Sequence, residues 1–259
     1  MVVYGAVYYV YVKIKKHYTI IATAVILLAG LLVISNQTSE NSAGYIDTGK
    51  NSSINTPTVF NKKQNSIDKP GSIWWIVNKK RSLPSGYAPS IIIAPNVTLR
   101  LDKTAEEMKI RSDIATNIEA MFTAANKQGI NLLFASGFRS QSAQEVLYKS
   151  YIAKDGQAAA DRYSARPGTS EHQTGLAFDV CVSGSSCDLD VTFADTPAGK
   201  WVAQNAHTFG FIVRYPNGKE AITGYQYEPW HLRFVGTNLA DELRKKNQTM
   251  EEFFGLTAN

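Results

Sequence analysis

This sequence has no long basic run, no internal repeat and only two cysteines. Each of these features argues against a class of protein or limits the cross-links that the chain can form. The net charge is +5, but Lys and Arg form no run longer than three residues within the part that would fold, which argues against nucleic-acid binding. We find no internal repeat and no regular alternation of strand and helix patterns, which disfavours a solenoid or a parallel βαβ fold. The two cysteines allow one disulfide at most. A length of 259 residues is typical of one domain with added segments.

Charge is absent from residues 18–35, which read YTIIATAVILLAGLLVIS. At about 1.5 Å rise per residue, a helix of this length approaches the ~30 Å hydrocarbon core of a bilayer. Three lysines lie just before it: Lys13, Lys15 and Lys16. The positive-inside rule leaves residues 1–17 on the cytoplasmic side, so we predict a single-pass transmembrane signal anchor with an extracytoplasmic domain. A cleaved signal peptide is the alternative, although no small-residue cleavage motif follows the run.

Large apolar residues are also rare from 36 to 70, where Asn, Ser, Thr and Gly dominate, and we predict a flexible linker there. Apolar content returns at residues 73–77, so the folded domain is predicted to span 71–259. Cys181 and Cys187 lie close together within it. Outside the cytoplasm they would close a small disulfide loop, the alternative being two free thiols.

The hydrophobic pattern of this domain mixes helices and strands. Helical spacing marks residues 103–128, 141–154, 197–209 and 238–254. Strand patterns mark residues 132–135, 175–182, 212–215 and 230–235. Because the two kinds do not alternate regularly, we predict an α+β domain with a small antiparallel sheet flanked by helices.

Two of the four histidines have a carboxylate at a suggestive spacing, and the first lies in residues 170–180, S-E-H-Q-T-G-L-A-F-D-V. Gly175 permits a turn between His172 and a strand on which Asp179 points away from the apolar face. A carboxylate inside such a strand needs a partner, such as a metal ion or an arginine. Cys181 shares the face of Asp179, so thiolate ligation is a minor alternative.

The second pair lies in residues 228–234, E-P-W-H-L-R-F, where proline argues against a helix interior. A turn or an extended segment could bring Glu228 and His231 to one pocket. With His172 and Asp179, His231 would complete a three-ligand zinc set with an open position for water, and Glu228 could accept the proton of that water. On spacing alone, two unrelated histidines and a salt-bridged aspartate remain the alternative.

Arg139 follows a predicted strand within S-G-F-R-S, residues 136–140. An arginine at a strand end could bind a substrate carboxylate or polarise a carbonyl. A surface salt bridge is the alternative.

Taken together, the three segments resemble the VanY-type D-alanyl-D-alanine carboxypeptidases, zinc peptidases that also include L,D-carboxypeptidases and D,D-dipeptidases. That family carries S-G-[FY]-R-S, then S-x-H-x-x-G-x-A-x-D, then E-P-W-H, and all three occur here in this order. The resemblance covers roughly residues 71–255 and includes W-W-I-V-N-K at 74–79.

The resemblance implies an activity and assigns roles to residues. It implies Zn²⁺ held by His172, Asp179 and His231, with Glu228 as general base. It further implies substrate contacts from Arg139, on the carbonyl or oxyanion, and from Gln144 and Ser170, near the terminal carboxylate. The expected reaction removes the C-terminal D-Ala of peptidoglycan stem peptides. The alternatives are L,D-carboxypeptidase or D,D-dipeptidase specificity, a non-catalytic wall-binding module, and a membrane sensor. We expect a monomer with no nucleic-acid partner.

Overall fold

Six strands form two antiparallel sheets in residues 60–256, the part of the chain that the computed structural model describes. The strands are β1 (Ile92–Ile93), β2 (Ile110–Arg111), β3 (Leu132–Ser136), β4 (Ala177–Val182), β5 (Phe211–Tyr215) and β6 (Glu228–Phe234). β1 pairs with β2, and the larger sheet has the order β3-β4-β6-β5 with every neighbouring pair antiparallel. The predicted α+β class with a small antiparallel sheet is confirmed.

Seven α-helices accompany these sheets within residues 60–256. They are α1 (Ala115–Lys127), α2 (Gln141–Asp155), α3 (Gln157–Tyr163), α4 (Pro197–Asn205), α5 (Glu220–Thr223), α6 (Thr237–Lys246) and α7 (Met250–Phe254). Side-chain caps mark the starts of two of these helices: the hydroxyl of Ser140 accepts from an amide at the start of α2, and Thr196 does the same before Pro197 in α4.

Two predicted helices are shorter than the hydrophobic pattern indicated. Residues 103–128 contain a 3₁₀ turn, β2 and a second 3₁₀ turn before α1 begins. Arg111 in β2 donates its amide to the carbonyl of Gly175, so a tertiary hydrogen bond replaces a helical one there. Residues 238–254 divide into α6 and α7 because Asn247 adopts a left-handed φ of +50°. Thr249 then starts α7 with a capping box.

The four-stranded sheet has one apolar and one polar face, as the period of two requires. The apolar face packs against α1 and α4 and includes Phe134, Phe178, Phe211, Leu232 and Phe234. The opposite face carries Asp179, His231, Arg233 and Arg214, all buried. A second apolar cluster joins α6 and α7 to Trp74 and Ile76. The polar face is therefore enclosed by protein, which places its charges in a low-dielectric setting.

The folded unit begins before residue 71. The ring of Phe60 stacks on Trp74 with centroids 5.6 Å apart, and Ile76 donates its amide to the carbonyl of Ile67. Residues 60–70 thus pack on the domain, and the predicted linker boundary at residue 70 is wrong in this respect. These residues carry few large side chains, and Phe60 and Ile67 anchor them.

The predicted N-terminal segment 1–17, the transmembrane segment 18–35 and the linker up to residue 59 lie outside the described residues, as do residues 257–259. Within residues 60–256, no helix combines the length and the hydropathy needed to cross a membrane.

Candidate metal centre

Asp179 and His231 are direct partners in the sheet. β4 and β6 pair so that Asp179 lies opposite His231, and opposed side chains project from the same face. Nδ1 of His231 lies 3.1 Å from Oδ1 of Asp179, without the alignment of a hydrogen bond. The register of two strands thus joins two residues that are far apart in the sequence.

His172 reaches the same point from a turn. Gly175, with φ +67°, reverses the chain between His172 and β4. Nδ1 of His172 lies 2.6 Å from the carbonyl oxygen of Gly137 and must carry the proton, because a carbonyl only accepts. Nε2 therefore keeps its lone pair, 3.4 Å from Oδ2 of Asp179. A Cβ at position 137 would lie 2.2 Å from the carbonyl oxygen of Lys109, so only glycine permits this approach.

We call His172, Asp179 and His231 the donor triad. One donor atom from each lies within 4.8 Å of the others, and all three residues are buried. Oδ1 of Asp179 has no hydrogen-bond partner among the described residues, and a buried carboxylate oxygen is costly unless a cation balances it. Two imidazole nitrogens and a carboxylate form a typical catalytic zinc set with room for a further ligand. The donor triad therefore fits Zn²⁺.

Glu228 stands beside the donor triad without belonging to it. It begins β6, and its Oε2 lies 3.8 Å from Nδ1 of His231. Burial raises the pKa of Glu228 to about 8, although the nearby His231 acts to lower it. A carboxylate with a pKa near neutrality can both accept and return a proton, as a general base must.

Charges inside the centre set its protonation. Burial lowers the pKa of His231, but the nearby carboxylates of Asp179 and Glu171 raise it to about 9. Burial dominates for His172 and lowers the pKa of that imidazole. Burial would raise the pKa of Asp179, yet the two imidazoles hold it well below its usual range. A bound cation would displace the proton from His231 and lower the pKa of Glu228.

Arg139 lies three residues after the end of β3 and is held by neutral partners. Nη1 donates to Oε1 of Gln144 at 2.9 Å, and Nη2 donates to Oγ of Ser136 at 2.9 Å. These contacts are not the surface salt bridge considered as its alternative. Gln144 is itself fixed by donating through Nε2 to the carbonyl of Ala165 at 2.7 Å. The guanidinium is thus oriented by contacts that leave its positive charge to act on a ligand.

A cleft of about 380 Å³ opens over the donor triad. Its lining contains the predicted residues Arg139, Gln144, Ser170 and Glu228, and also the aromatic residues Tyr215, Tyr225 and Trp230. Trp230 also belongs to the apolar core. All the residues predicted for the site therefore meet in one cleft.

Cys181 and Cys187 form a disulfide with an S–S distance of 2.06 Å. Thiolate ligation by Cys181 is therefore excluded in this structure. Cys187 and the adjacent Asp188 contribute to the cleft wall. The loop closed by the disulfide, which the motifs do not include, thus borders the site.

Sequence reasoning missed a second set of buried charges, which we call the ionic network: Glu171, Arg214, Arg233 and Glu251. Oε1 of Glu171 accepts from Nε of Arg214 at 2.8 Å and from Nη1 of Arg233 at 2.7 Å. Arg214 also donates to both oxygens of Glu251, at 2.6 and 2.9 Å. All four side chains are fully buried. The available signal was an arginine between two large apolar residues in each of two predicted strands, since a buried arginine requires a carboxylate.

A donor triad with a free carboxylate beside it, in a cleft with a fixed arginine, defines a metal-dependent hydrolase. The sequence profile of the VanY family, described as D-alanyl-D-alanine carboxypeptidase, matches residues 107–237. The chain belongs to the VanY family of D-alanyl-D-alanine carboxypeptidases, which are zinc-dependent hydrolases. The family resemblance inferred from the three motifs is confirmed.

Several relatives support this membership. YodJ of Bacillus subtilis (strain 168), provisionally named a carboxypeptidase, is 41% identical over 73% of this chain and 69% of its own. The solved structure of the LdcB LD-carboxypeptidase is similar with a TM-score of 0.68 and 40% identity, covering 73% of this chain and 88% of that one. A VanY D,D-pentapeptidase from a VanB-type vancomycin resistance cassette, solved with Zn(II), has a TM-score of 0.57 and 31% identity, covering 69% and 97%.

Proposed function

We propose that this protein is a zinc-dependent D-alanyl-D-alanine carboxypeptidase that removes the C-terminal D-Ala from peptidoglycan stem peptides. The observation that carries the proposal is the convergence of the donor triad, Glu228 and Arg139 in one cleft. The similarity to a zinc-bound D,D-pentapeptidase and to an LD-carboxypeptidase supports this substrate class.

The residues of the chain divide the work of hydrolysis. A zinc ion, when bound to the donor triad, supplies Lewis acidity that polarises the scissile carbonyl and acidifies water. Glu228 accepts the proton of the attacking water and returns it to the leaving amine of D-Ala. Arg139, held by Gln144 and Ser136, stabilises negative charge on the substrate carbonyl oxygen. Ser170, which is buried in the cleft lining, contributes a hydroxyl near the substrate's terminal carboxylate.

The position of Gln144 refines its proposed role. Its oxygen accepts from Arg139 and its nitrogen donates to the carbonyl of Ala165. Both ends of the amide are therefore engaged within the protein. Gln144 accordingly acts on the substrate mainly by orienting Arg139.

A second specificity has a specific observation in its favour. The LdcB structure is more similar to this chain, in both identity and TM-score, than the VanY D,D-pentapeptidase structure. An LD-carboxypeptidase would convert a tetrapeptide stem into a tripeptide with the same donor triad and base. Incubation of the purified protein with penta- and tetrapeptide stems, followed by mass analysis of the products, separates the two activities.

The proposed function is tested by zinc removal and restoration. Chelation should abolish release of D-Ala, and added Zn²⁺ should restore it. A matched Glu228→Gln variant should retain zinc and lose hydrolysis. Stem-peptide cleavage that persists after complete removal of metal would refute the proposal.

We propose further that the protein is anchored by residues 18–35 as a monomer with its catalytic domain outside the cell membrane. The uncharged apolar run and the lysines before it support this topology. A disulfide in the domain agrees with an oxidising compartment. Protease digestion of intact protoplasts should degrade the domain while sparing cytoplasmic proteins, and light scattering of the detergent-solubilised protein should give the monomer mass. Protection of the domain from the protease would contradict the topology.

A further inference from the structure

We propose that Glu171 is a positioning residue that holds the His231 imidazole with Nδ1 directed at the metal. The inference rests on the proposed function only in taking the donor triad as a zinc site. Glu171 is neither a member of the donor triad nor the base, and it lies beside His172 in the sequence.

The geometry begins with the two nitrogens of His231. Nδ1 faces Asp179 at 3.1 Å, on the side where a metal ion would bind. Nε2, the other ring nitrogen, lies 3.9 Å from Oε2 of Glu171. His231 Nε2 and Glu171 Oε2 are both buried, and neither has a hydrogen-bond partner among the described residues. Two orphaned polar atoms of complementary character thus face each other.

The ionic network determines which oxygen of Glu171 is available. Arg214 from β5 and Arg233 from β6 both donate to Oε1. Oε2 therefore faces His231, and the two guanidinium groups hold the carboxylate of Glu171 in place. The separation of 3.9 Å closes to a hydrogen bond with a shift of about 1 Å in the imidazole.

The chemistry of a ligating histidine explains what the contact does. When Nδ1 binds a metal, Nε2 must carry the proton, and a carboxylate acceptor fixes both that tautomer and the ring orientation. His172 has an equivalent contact, in which its Nδ1 donates to the carbonyl of Gly137. With Glu171 as acceptor, each imidazole of the donor triad is held by an oxygen at its distal nitrogen.

The experiment compares Glu171→Gln with Glu251→Gln in the full chain. Both replace a fully buried carboxylate of the ionic network by an amide, but only Glu171 faces His231. Zinc affinity is measured by competition with a chromophoric chelator, and Co²⁺ substitution reports the ligand field by absorption. We expect Glu171→Gln to weaken zinc binding by about 10- to 100-fold and to shift the Co²⁺ spectrum. Glu251→Gln should leave both unchanged while lowering the thermal midpoint of the metal-free protein.

A folded Glu171→Gln protein that binds zinc as the parent does would overturn the inference. So would an equal loss of affinity in Glu251→Gln, because the network would then act only through general stability. Should Glu171→Gln fail to fold, Glu171→Asp decides: it keeps the charge for the arginines, and a parental zinc affinity in it would refute the positioning role. A parent protein that binds zinc but cleaves no stem peptide would refute the proposed function and leave this inference standing.

Discussion

The polar face of the sheet holds two clusters of buried charge that differ in how the charge is balanced. In the ionic network, two arginines face two glutamates, and each arginine donates to a carboxylate at 2.6 to 2.9 Å. In the metal centre, the charged contacts of Asp179 and Glu228 within 4 Å are with imidazoles, and an oxygen of Asp179 has no hydrogen bond among the described residues. Guanidinium groups balance the first cluster, whereas the second depends on a proton on His231 or on a bound metal cation.

The two clusters are similarly buried, but the difference in charge balance indicates a structural role for the ionic network and a functional role for the metal centre. A buried charge with a well-aligned partner is tolerated, and removal of that partner costs stability. A buried carboxylate without a cationic partner costs stability in the folded protein and is retained where it serves a site. The two clusters should therefore respond differently to substitution: the metal centre in activity and the ionic network in stability.

Among the substitutions proposed here, we expect Glu228→Gln in the metal centre to have the largest effect, and that effect should be on activity. Loss of the general base should lower kcat by about 10²- to 10⁴-fold, because proton transfer to and from the reacting groups is removed. Zinc content should stay at the parental level, since Glu228 is not in the donor triad. D-Ala release by mass analysis and zinc by atomic emission measure the two quantities. A kcat within threefold of the parent would contradict the assigned role.

Glu251→Ala tests whether the ionic network stabilises the fold. Removal of this carboxylate leaves Arg214 with Glu171 as its remaining buried carboxylate partner. Breaking a buried ion pair in this way should lower the free energy of unfolding by about 3–5 kcal/mol. Urea denaturation of the zinc-loaded proteins measures the change. An unfolding free energy equal to that of the parent would show that the ionic network does not stabilise the fold.

The disulfide offers an intermediate case at the border of the cleft. Replacing both Cys181 and Cys187 by serine removes a short covalent loop. The chain-entropy relation for a loop of this size predicts a loss of about 2 kcal/mol in stability. The double variant is compared with the parent by thermal unfolding under non-reducing conditions. Identical midpoints would mean that the loop is held by its non-covalent contacts alone.

The smallest expected effect is the change in zinc affinity with pH, which should be gradual. In the metal-free fold the pKa of His231 is raised from 6.5 to about 9, so its proton competes with zinc. Apparent zinc affinity should therefore rise about tenfold, or about 1.4 kcal/mol, for each pH unit between roughly pH 6 and 8. Competition titrations at several pH values measure it, and a flat profile would contradict the raised pKa.

The same shift gives a sign for the stability of the metal-free protein. A raised folded-state pKa contributes stability that is complete below about pH 6.5 and is lost as the pH rises through about 9. Metal-free protein should thus lose thermal stability over that range. Zinc-loaded protein should lose less, because zinc has already displaced the proton from His231.

Much of the site could be predicted from the chain because its motifs are local. Gly175 indicates the turn after His172, and the alternation along residues 176–180 places Asp179 on the face of the strand away from the apolar residues. The lengths of the helices were harder to predict. The periodicity of residues 103–128 did not reveal the pairing of β2, and the hydrophobic spacing of residues 238–254 did not reveal the helix break at the left-handed Asn247.

The sequence by itself determined the class of chemistry, because three short segments contain the donor triad, Glu228 and Arg139 at recognisable spacings. Only the tertiary structure decided how these groups are supported. The pairing of Asp179 with His231 depends on the β4–β6 register, and the approach of Glu171 to His231 depends on two arginines from different strands. Local pattern records which face a side chain occupies. It does not record which distant side chain lies across that face, because non-local packing sets that distance.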